Sequence, residues 1–156
     1  MSFQPDEVDL ELLRLLRADG RAAVTRLADQ VHLSRSAVHQ RLATLAEQGV
    51  LTGFAPTVDP TRLGTGVAAF VLLSGGPGGR LDYQPLREQL QALPHVEMAS
   101  LVTGEADVLL LVRASDLDEL RRFLLEDLQR VTQLRSTLTL LVLDDVIRRP
   151  FVLPGE

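Results

Sequence analysis

The sequence predicts an α+β protein in two parts: an N-terminal winged helix-turn-helix over residues 1–61, and a ferredoxin-like βαββαβ domain over residues 62–156. Three observations carry this. The first fifty residues hold three apolar stripes at helical spacing, and a short turn separates the second from the third. Beyond residue 66, strand-like and helix-like periodicities follow one another in the order β, α, β, β, α, β. Finally, the runs VAAFVLL, VLLLV and LTLLVL are almost continuously apolar, whereas a sheet with one wet face alternates apolar and polar residues.

The first helix is expected over residues 5–18, opened by Pro5 near its first turn and stopped by Asp19-Gly20. Val8, Leu12, Leu15 and Leu16 form its buried stripe, and Asp6, Glu7 and Asp9 suit the positive end of the helix dipole. The second helix, residues 24–31, places Val24, Leu27, Ala28 and Val31 on one face. Ala23 stands where a capping Ser or Asn is expected, and His32 takes a turn position that favours Gly, which demands a positive φ.

The third helix is written into SRSAVHQRLATLAEQG, residues 34–49, with Ser34 as N-cap and Gly49 just past its end. Val38, Leu42 and Leu45 share a stripe that faces a core, while Ser36, His39, Gln40 and Ala43 point the other way. Any amphipathic surface helix has such a stripe; the helix and tight turn before it point to a recognition helix. Its outward face is short, polar and hydrogen-bond competent, which suits reading base edges in a major groove. VLTGFAPTV, residues 50–58, is rich in strand formers and reads as a wing strand, and Asp59-Pro60 starts a linker ending near Gly64.

In the second part, residues 67–74 read as a strand, and Tyr83, Leu86, Leu90 and Leu93 as a helical stripe ended by Pro94. Residues 96–103 and 107–113 are two strands joined by a tight turn. Ser115-Asp116-Leu117-Asp118 resembles a capping box before a helix with Leu117, Leu120, Leu124, Leu128 and Val131 inward, and residues 135–148 form the last strand. Two helices cover only one face of such a sheet, so the second apolar face calls for another subunit: a homodimer, or a higher oligomer built from it. GGPGG at 75–79 lacks the Lys-Ser/Thr of a phosphate-binding loop and does not spell G-x-G-x-x-G, so it reads as a flexible loop.

Composition removes several functions. There is no cysteine, hence no disulfide, zinc knuckle, iron–sulfur cluster or thiol nucleophile, and the three histidines are widely spaced at 32, 39 and 95. No cofactor or metal is implied, and no catalytic residues are assigned. The absence of a long apolar run and of a signal-peptide pattern excludes a membrane partner and predicts a cytoplasmic location. The formal charge of −5 excludes bulk electrostatic coating of nucleic acid, so any DNA contact is local. Residues 1–62 carry seven Arg against eight Asp plus Glu, a net −1, so one copy binds modestly and two copies act together. Arg121/Arg122 and Arg148/Arg149 read as solvated charge or subunit ion pairs.

VDLELLRLLRADGR, LADQVHLSRSAVHQRLATLAEQGVLTGF and VDPTRLG together resemble the N-terminal half of the leucine-responsive/asparagine-responsive (Lrp/AsnC) family of transcriptional regulators. The βαββαβ order resembles that family's regulatory domain, which assembles into dimers and often larger rings. By type and position, Arg21, Arg26, Ser34 and Arg35 are candidates for phosphate contacts, and Ser36, His39 and Gln40 for base edges of double-stranded DNA. Arg41 lies nearer the apolar midline and favours an ion pair with Asp9 or Glu47.

The stretch Val102-Thr103-Gly104-Glu105-Ala106-Asp107 resembles the family's Gly-Asp-x-Asp hairpin, with Glu105 replacing the first Asp. The resemblance implies a small effector, an amino acid or similar, bound there between subunits with help from the last strand. Thr103, Gly104, Glu105, Asp107, Thr137 and Thr139 are the candidate residues: carboxylates for an α-ammonium, hydroxyls for polar groups, and a glycine that lets ligand approach the backbone. Turn chemistry alone explains TGEAD as a hairpin turn. Two rival readings stay open: a haem-pathway decarboxylase-like enzyme of the same architecture using His95, and a regulatory partner that does not bind DNA, favoured if His39 and Gln40 are buried.

Overall fold

In the computed structural model, which describes residues 3–75, 82–131 and 134–155, Asp6 opens the first helix, α1 (Glu7–Ala18). Its carboxylate accepts from the Asp9 amide while the Asp9 carboxylate accepts from the Asp6 amide, a reciprocal capping box. Next, α2 (Val24–Gln30) starts without a side-chain cap at Ala23, and His32 takes the expected positive φ, 54°. The helix α3 (Arg35–Glu47) is capped by Ser34, whose hydroxyl accepts from the Ala37 amide at 3.2 Å. Gly49, with φ 71°, turns the chain out of it.

Leu12, Leu27, Ala28 and Val38 form the core of this three-helix unit. A second cluster joins Leu13, Leu45 and Leu153. Neither Leu13 nor Leu153 figures in the expected stripes.

Two expectations for residues 50–64 change. Residues 50–58 form no strand, because all four strands of the sheet come from residues 67–141 and leave these strand formers without a ladder partner. The helix-turn-helix therefore carries no paired wing. The expected linker holds a single helical turn, α4 (Pro60–Leu63): the Asp59 carboxylate accepts from the Thr61 amide at 2.9 Å, proline occupies the first turn, and Gly64 at φ 88° closes it.

The sheet consists of β1 (Val67–Gly75), β2 (Val96–Leu101), β3 (Val108–Ala114) and β4 (Leu134–Leu141), all antiparallel in the order β2-β3-β1-β4. Helix α5 (Tyr83–Gln91) joins β1 to β2. Helix α6 (Leu117–Arg122) runs on as a π turn over Phe123–Asp127 and a 3-10 turn over Leu128–Arg130. The order βαββαβ is the expected one. Val71, Leu73, Val108, Leu110 and Val112 are buried with Leu86, Leu90, Leu120, Phe123 and Leu128.

Details at the ends differ from expectation. The last strand stops at Leu141, not 148, because its partner β1 begins at Val67 and Ala69 already pairs with Leu141. Asp116 is the cap of α6, its carboxylate accepting from the Glu119 amide at 2.8 Å. Leu117, in the first turn, is exposed, and Phe123 is fully buried instead. The GGPGG loop beyond Gly75 lies outside the described residues.

By contacts the chain groups into two units, residues up to Thr57 with those from Ile147 onward, and Val58–Val146. The last ten residues, expected in the second domain, thus group with the first unit. Among the described residues, no helix is long and apolar enough to cross a membrane.

Candidate functional site

The outward face of α3 follows from where its apolar residues go. Val38 and Leu45 are fully buried, which turns Ser36, His39, Gln40 and Ala43 to the surface, all four exposed. Arg21, Arg26, Ser34 and Arg35 are exposed as well, and Ser34 and Arg35 share the N-terminal end of the helix with Ser36. Two of these groups already have partners. The Ser34 hydroxyl, besides capping, meets the Ser36 hydroxyl at 2.9 Å, and Arg26 pairs with Asp19 at 3.0 Å. Both members of the Arg26–Asp19 pair are well exposed, so the pair itself contributes little to stability.

Arg41 takes the structural role expected of it, with Asp9 as partner and Asp6 in addition rather than Glu47. Its Nη1 donates to Asp9 Oδ1 and to Asp6 Oδ2, each at 2.8 Å. The Asp9 amide first and Arg41 second hold the Asp6 carboxyl below its ordinary value, and the two carboxylates raise the Arg41 guanidinium. One side chain thereby ties the recognition helix to the N-terminus of α1.

The second group of candidates gathers at one end of the sheet. Thr103, Gly104 and Glu105 are exposed on the β2–β3 hairpin, Gly104 at φ 127°. Asp107, expected as an effector contact, is engaged within the chain. Its amide donates to the Leu73 carbonyl at 2.9 Å and its Oδ2 accepts from the Gly75 amide at 2.8 Å. The Ser74 hydroxyl donates to the Glu105 carbonyl at 3.1 Å, so the hairpin is laced to the end of β1.

On the other side of β1, Thr137 pairs with Leu73 and Thr139 with Val71. Both threonines therefore share the sheet face that Val71 and Leu73 turn to the helices, at the β4 edge. Asp107 and Thr137 flank Leu73 from opposite sides, roughly two strand spacings or 10 Å apart. By alternation from the buried Val108, Asp107 lies toward the opposite sheet face from Thr137 and Thr139, so the hairpin and the β4 threonines do not form one continuous surface in the single chain. A cavity of about 780 Å³ between α5 and β2 is lined by Tyr83, Arg87 and Val96 to Leu101 among others and includes none of these six candidates.

The opposite face of the sheet is apolar and open. Cross-strand register puts Met98, Leu111, Phe70 and Leu140 in one row, and Ser100, Leu109, Leu72 and Leu138 in the next. None of these residues is fully buried, and Leu138 and Leu140 keep 57% and 49% of their surface. Periodicity had marked this face for burial; in the single chain it is the uncovered one.

His95 is occupied elsewhere. Its Nε2 lies 3.3 Å from Glu119 Oε1, and its ring packs 5.1 Å from that of Phe123 at a tilt. The Ser115 amide and hydroxyl donate to Glu119, and these bonds, ahead of His95, draw its pKa down to about 2. Among the described residues no group of three His, Asp or Glu side chains is placed to hold a metal.

The sequence pattern described as the AsnC-type helix-turn-helix domain matches residues 6–46, and that described as the Lrp/AsnC ligand binding domain matches residues 68–152. An HTH-type transcriptional regulator of Pyrococcus abyssi is 34% identical over 87% of this chain and 84% of its own length. The proline dehydrogenase transcriptional activator of Rhizobium radiobacter is 30% identical over 90% of each chain. Among solved structures, E. coli AsnC superposes with a TM-score of 0.87 at 28% identity, covering 96% of this chain and 99% of its own. The Neisseria meningitidis regulator NMB0573, crystallised with L-Met, has the same fold, with a TM-score of 0.90 at 23% identity over 97% of this chain and 98% of its own. The chain belongs to the Lrp/AsnC family: it is an HTH-type transcriptional regulator with an AsnC-type DNA-binding domain and an Lrp/AsnC ligand-binding domain.

Proposed function

We propose that α3 enters the major groove with Ser36, His39 and Gln40 at base edges while Arg21, Arg26, Ser34 and Arg35 contact phosphates. The observation that carries this is the outward face of α3, polar and exposed on a helix held by Ser34 at one end and Gly49 at the other. The exposure of His39 and Gln40 also weighs against a regulatory partner that does not bind DNA. A regulator of this kind works where the chromosome lies, in the cytoplasm. Gel-shift assays against the duplex upstream of its own gene test the reading; no shift at low salt, with or without added amino acids, removes it.

The protein acts as a homodimer, or as a larger ring of dimers, in this proposal. The open rows of Phe70, Leu72, Leu109, Leu111, Leu138 and Leu140 support it, since apolar side chains in such continuous array favour a covering surface, and the same face of a second copy is self-complementary. Two readers on one particle also compensate for the net charge of −1 over residues 1–62.

An amino acid or similar small molecule is the proposed effector. Its contacts come from Thr103, Gly104, Glu105, Asp107, Thr137 and Thr139, brought together with a second subunit. The exposure of Thr103, Gly104, Glu105 and Thr137 and the match of residues 68–152 to a ligand-binding domain support this. The effector works by binding one subunit arrangement more tightly than another. The packing of His95 against Glu119 and Phe123 and the match to regulator families favour the regulator over the enzyme reading.

A further inference from the structure

The chain crosses between its two units twice, once after Thr57 and again before Ile147. The second crossing brings a short C-terminal segment back onto the DNA-reading unit. There Leu153, only 4% exposed, closes a cluster with Leu13 of α1 and Leu45 of α3, flanked by Phe3, Leu10, Leu42 and Leu51. Arg17 clamps the segment from α1: its Nη1 donates to the Phe151 carbonyl at 3.2 Å, and its guanidinium carbon lies 5.6 Å from the centroid of the Phe151 ring. Pro150 and Pro154 flank these contacts and exclude a helix there.

The recognition helix is thus held in two places. Val38 sits in the cluster of Leu12, Leu27 and Ala28, whereas Leu45, about two turns further along the same stripe, sits in the cluster that Leu153 closes. With both anchors the tilt of α3 is set; with Val38 alone its C-terminal half rocks. Base-edge contacts tolerate only about 0.5 Å of such movement. Long arginine side chains on phosphates tolerate more, and those contacts carry no sequence information.

We propose that residues 150–153 are a strap that seats the recognition helix, and that Leu153 is a positioning residue for DNA reading, acting through Leu45. The proposal rests on the assignment of α3 as the reader. It predicts a loss of sequence preference rather than of DNA binding as such.

The test compares affinities of the full chain for a duplex selected from a random pool by the unaltered protein and for a scrambled duplex at the same salt. Leu153→Ala lowers the ratio of the two affinities about tenfold, a selective loss at base edges, and Leu153→Met restores it. Phe151→Ala, which loosens the strap without opening the cluster, lowers the ratio in the same direction and decides the matter if Leu153→Ala does not fold. A merely structural role reduces the folded fraction and weakens both affinities by one factor, leaving the ratio intact. A ratio unchanged within about twofold in the folded variants overturns the strap. Failure of the unaltered protein to select any duplex overturns the reading assignment of α3 itself.

Discussion

Arg41 of the recognition helix and Asp9 of the first helix are joined by a 2.8 Å hydrogen bond, although 32 positions separate them in the chain. Asp9 is the buried member, and its other oxygen closes the capping box with Asp6. Asp9→Ala removes both contacts and is expected to destabilise the N-terminal unit by about 1–2 kcal/mol. Urea unfolding followed by circular dichroism measures it; a change within ±0.3 kcal/mol, the scale of a bland surface substitution, removes the role given to this pair.

Acid weakens the same region and the second unit by one mechanism. The folded state holds the Asp6 carboxyl below its ordinary 3.8 and the Glu119 carboxyl at about 2 instead of 4.5. Depressed carboxyl values stabilise the folded form above the unfolded value, and that contribution is lost as pH falls through the folded value. Glu119→Gln is therefore less stable than the unaltered chain at neutral pH, and the gap narrows between pH 4.5 and about 2. Thermal melts over this range show it; a gap independent of pH contradicts the assignment.

The hydrogen bond of Asp107 to Gly75 and its proposed contact with an effector are separable. Its carboxylate accepts the Gly75 amide, which an amide oxygen also does, whereas attraction for an α-ammonium needs the charge. Asp107→Asn is expected to keep the melting temperature and lose amino-acid-induced thermal stabilisation. Asp107→Ala loses both, with about 1–2 kcal/mol of stability for the stranded amide. Stabilisation by amino acids that survives Asp107→Asn moves the effector elsewhere.

Charge placed on the open sheet face opposes association. Leu138→Glu and Leu140→Glu, both exposed in the single chain, are expected to leave its secondary structure unchanged and to convert the proposed dimer to monomer. Sedimentation velocity distinguishes the two states, and a dimer that withstands both substitutions is built on another surface.

Phosphate and base contacts differ in their response to salt. Arg35→Ala is expected to weaken binding to all duplexes alike and reduce the log–log salt slope by about 1, while Gln40→Ala costs about 1–3 kcal/mol on one preferred sequence and leaves the slope unchanged. Titrations at several salt concentrations separate them, and an inverted pattern exchanges the two assignments.

Much of this was legible in the residues alone. Ser34, Gly49 and the Val38–Leu45 stripe determine a capped helix with Ser36, His39 and Gln40 outward, because caps and periodicity act within one or two turns. His32 at positive φ follows from the turn for the same local reason. The order of strands and the greasiness of their second face also follow from period alone. The tertiary structure decided what depends on distant partners. A wing strand at 50–58 needs a neighbour to take its hydrogen bonds and has none in the sheet, the end of β4 is set by where β1 begins, and Asp107 turns out to hold Gly75. The return of Leu153 to Leu13 and Leu45 was the least visible feature, since a lone leucine between prolines has no period to announce it; only the packed chain shows the hole that it fills.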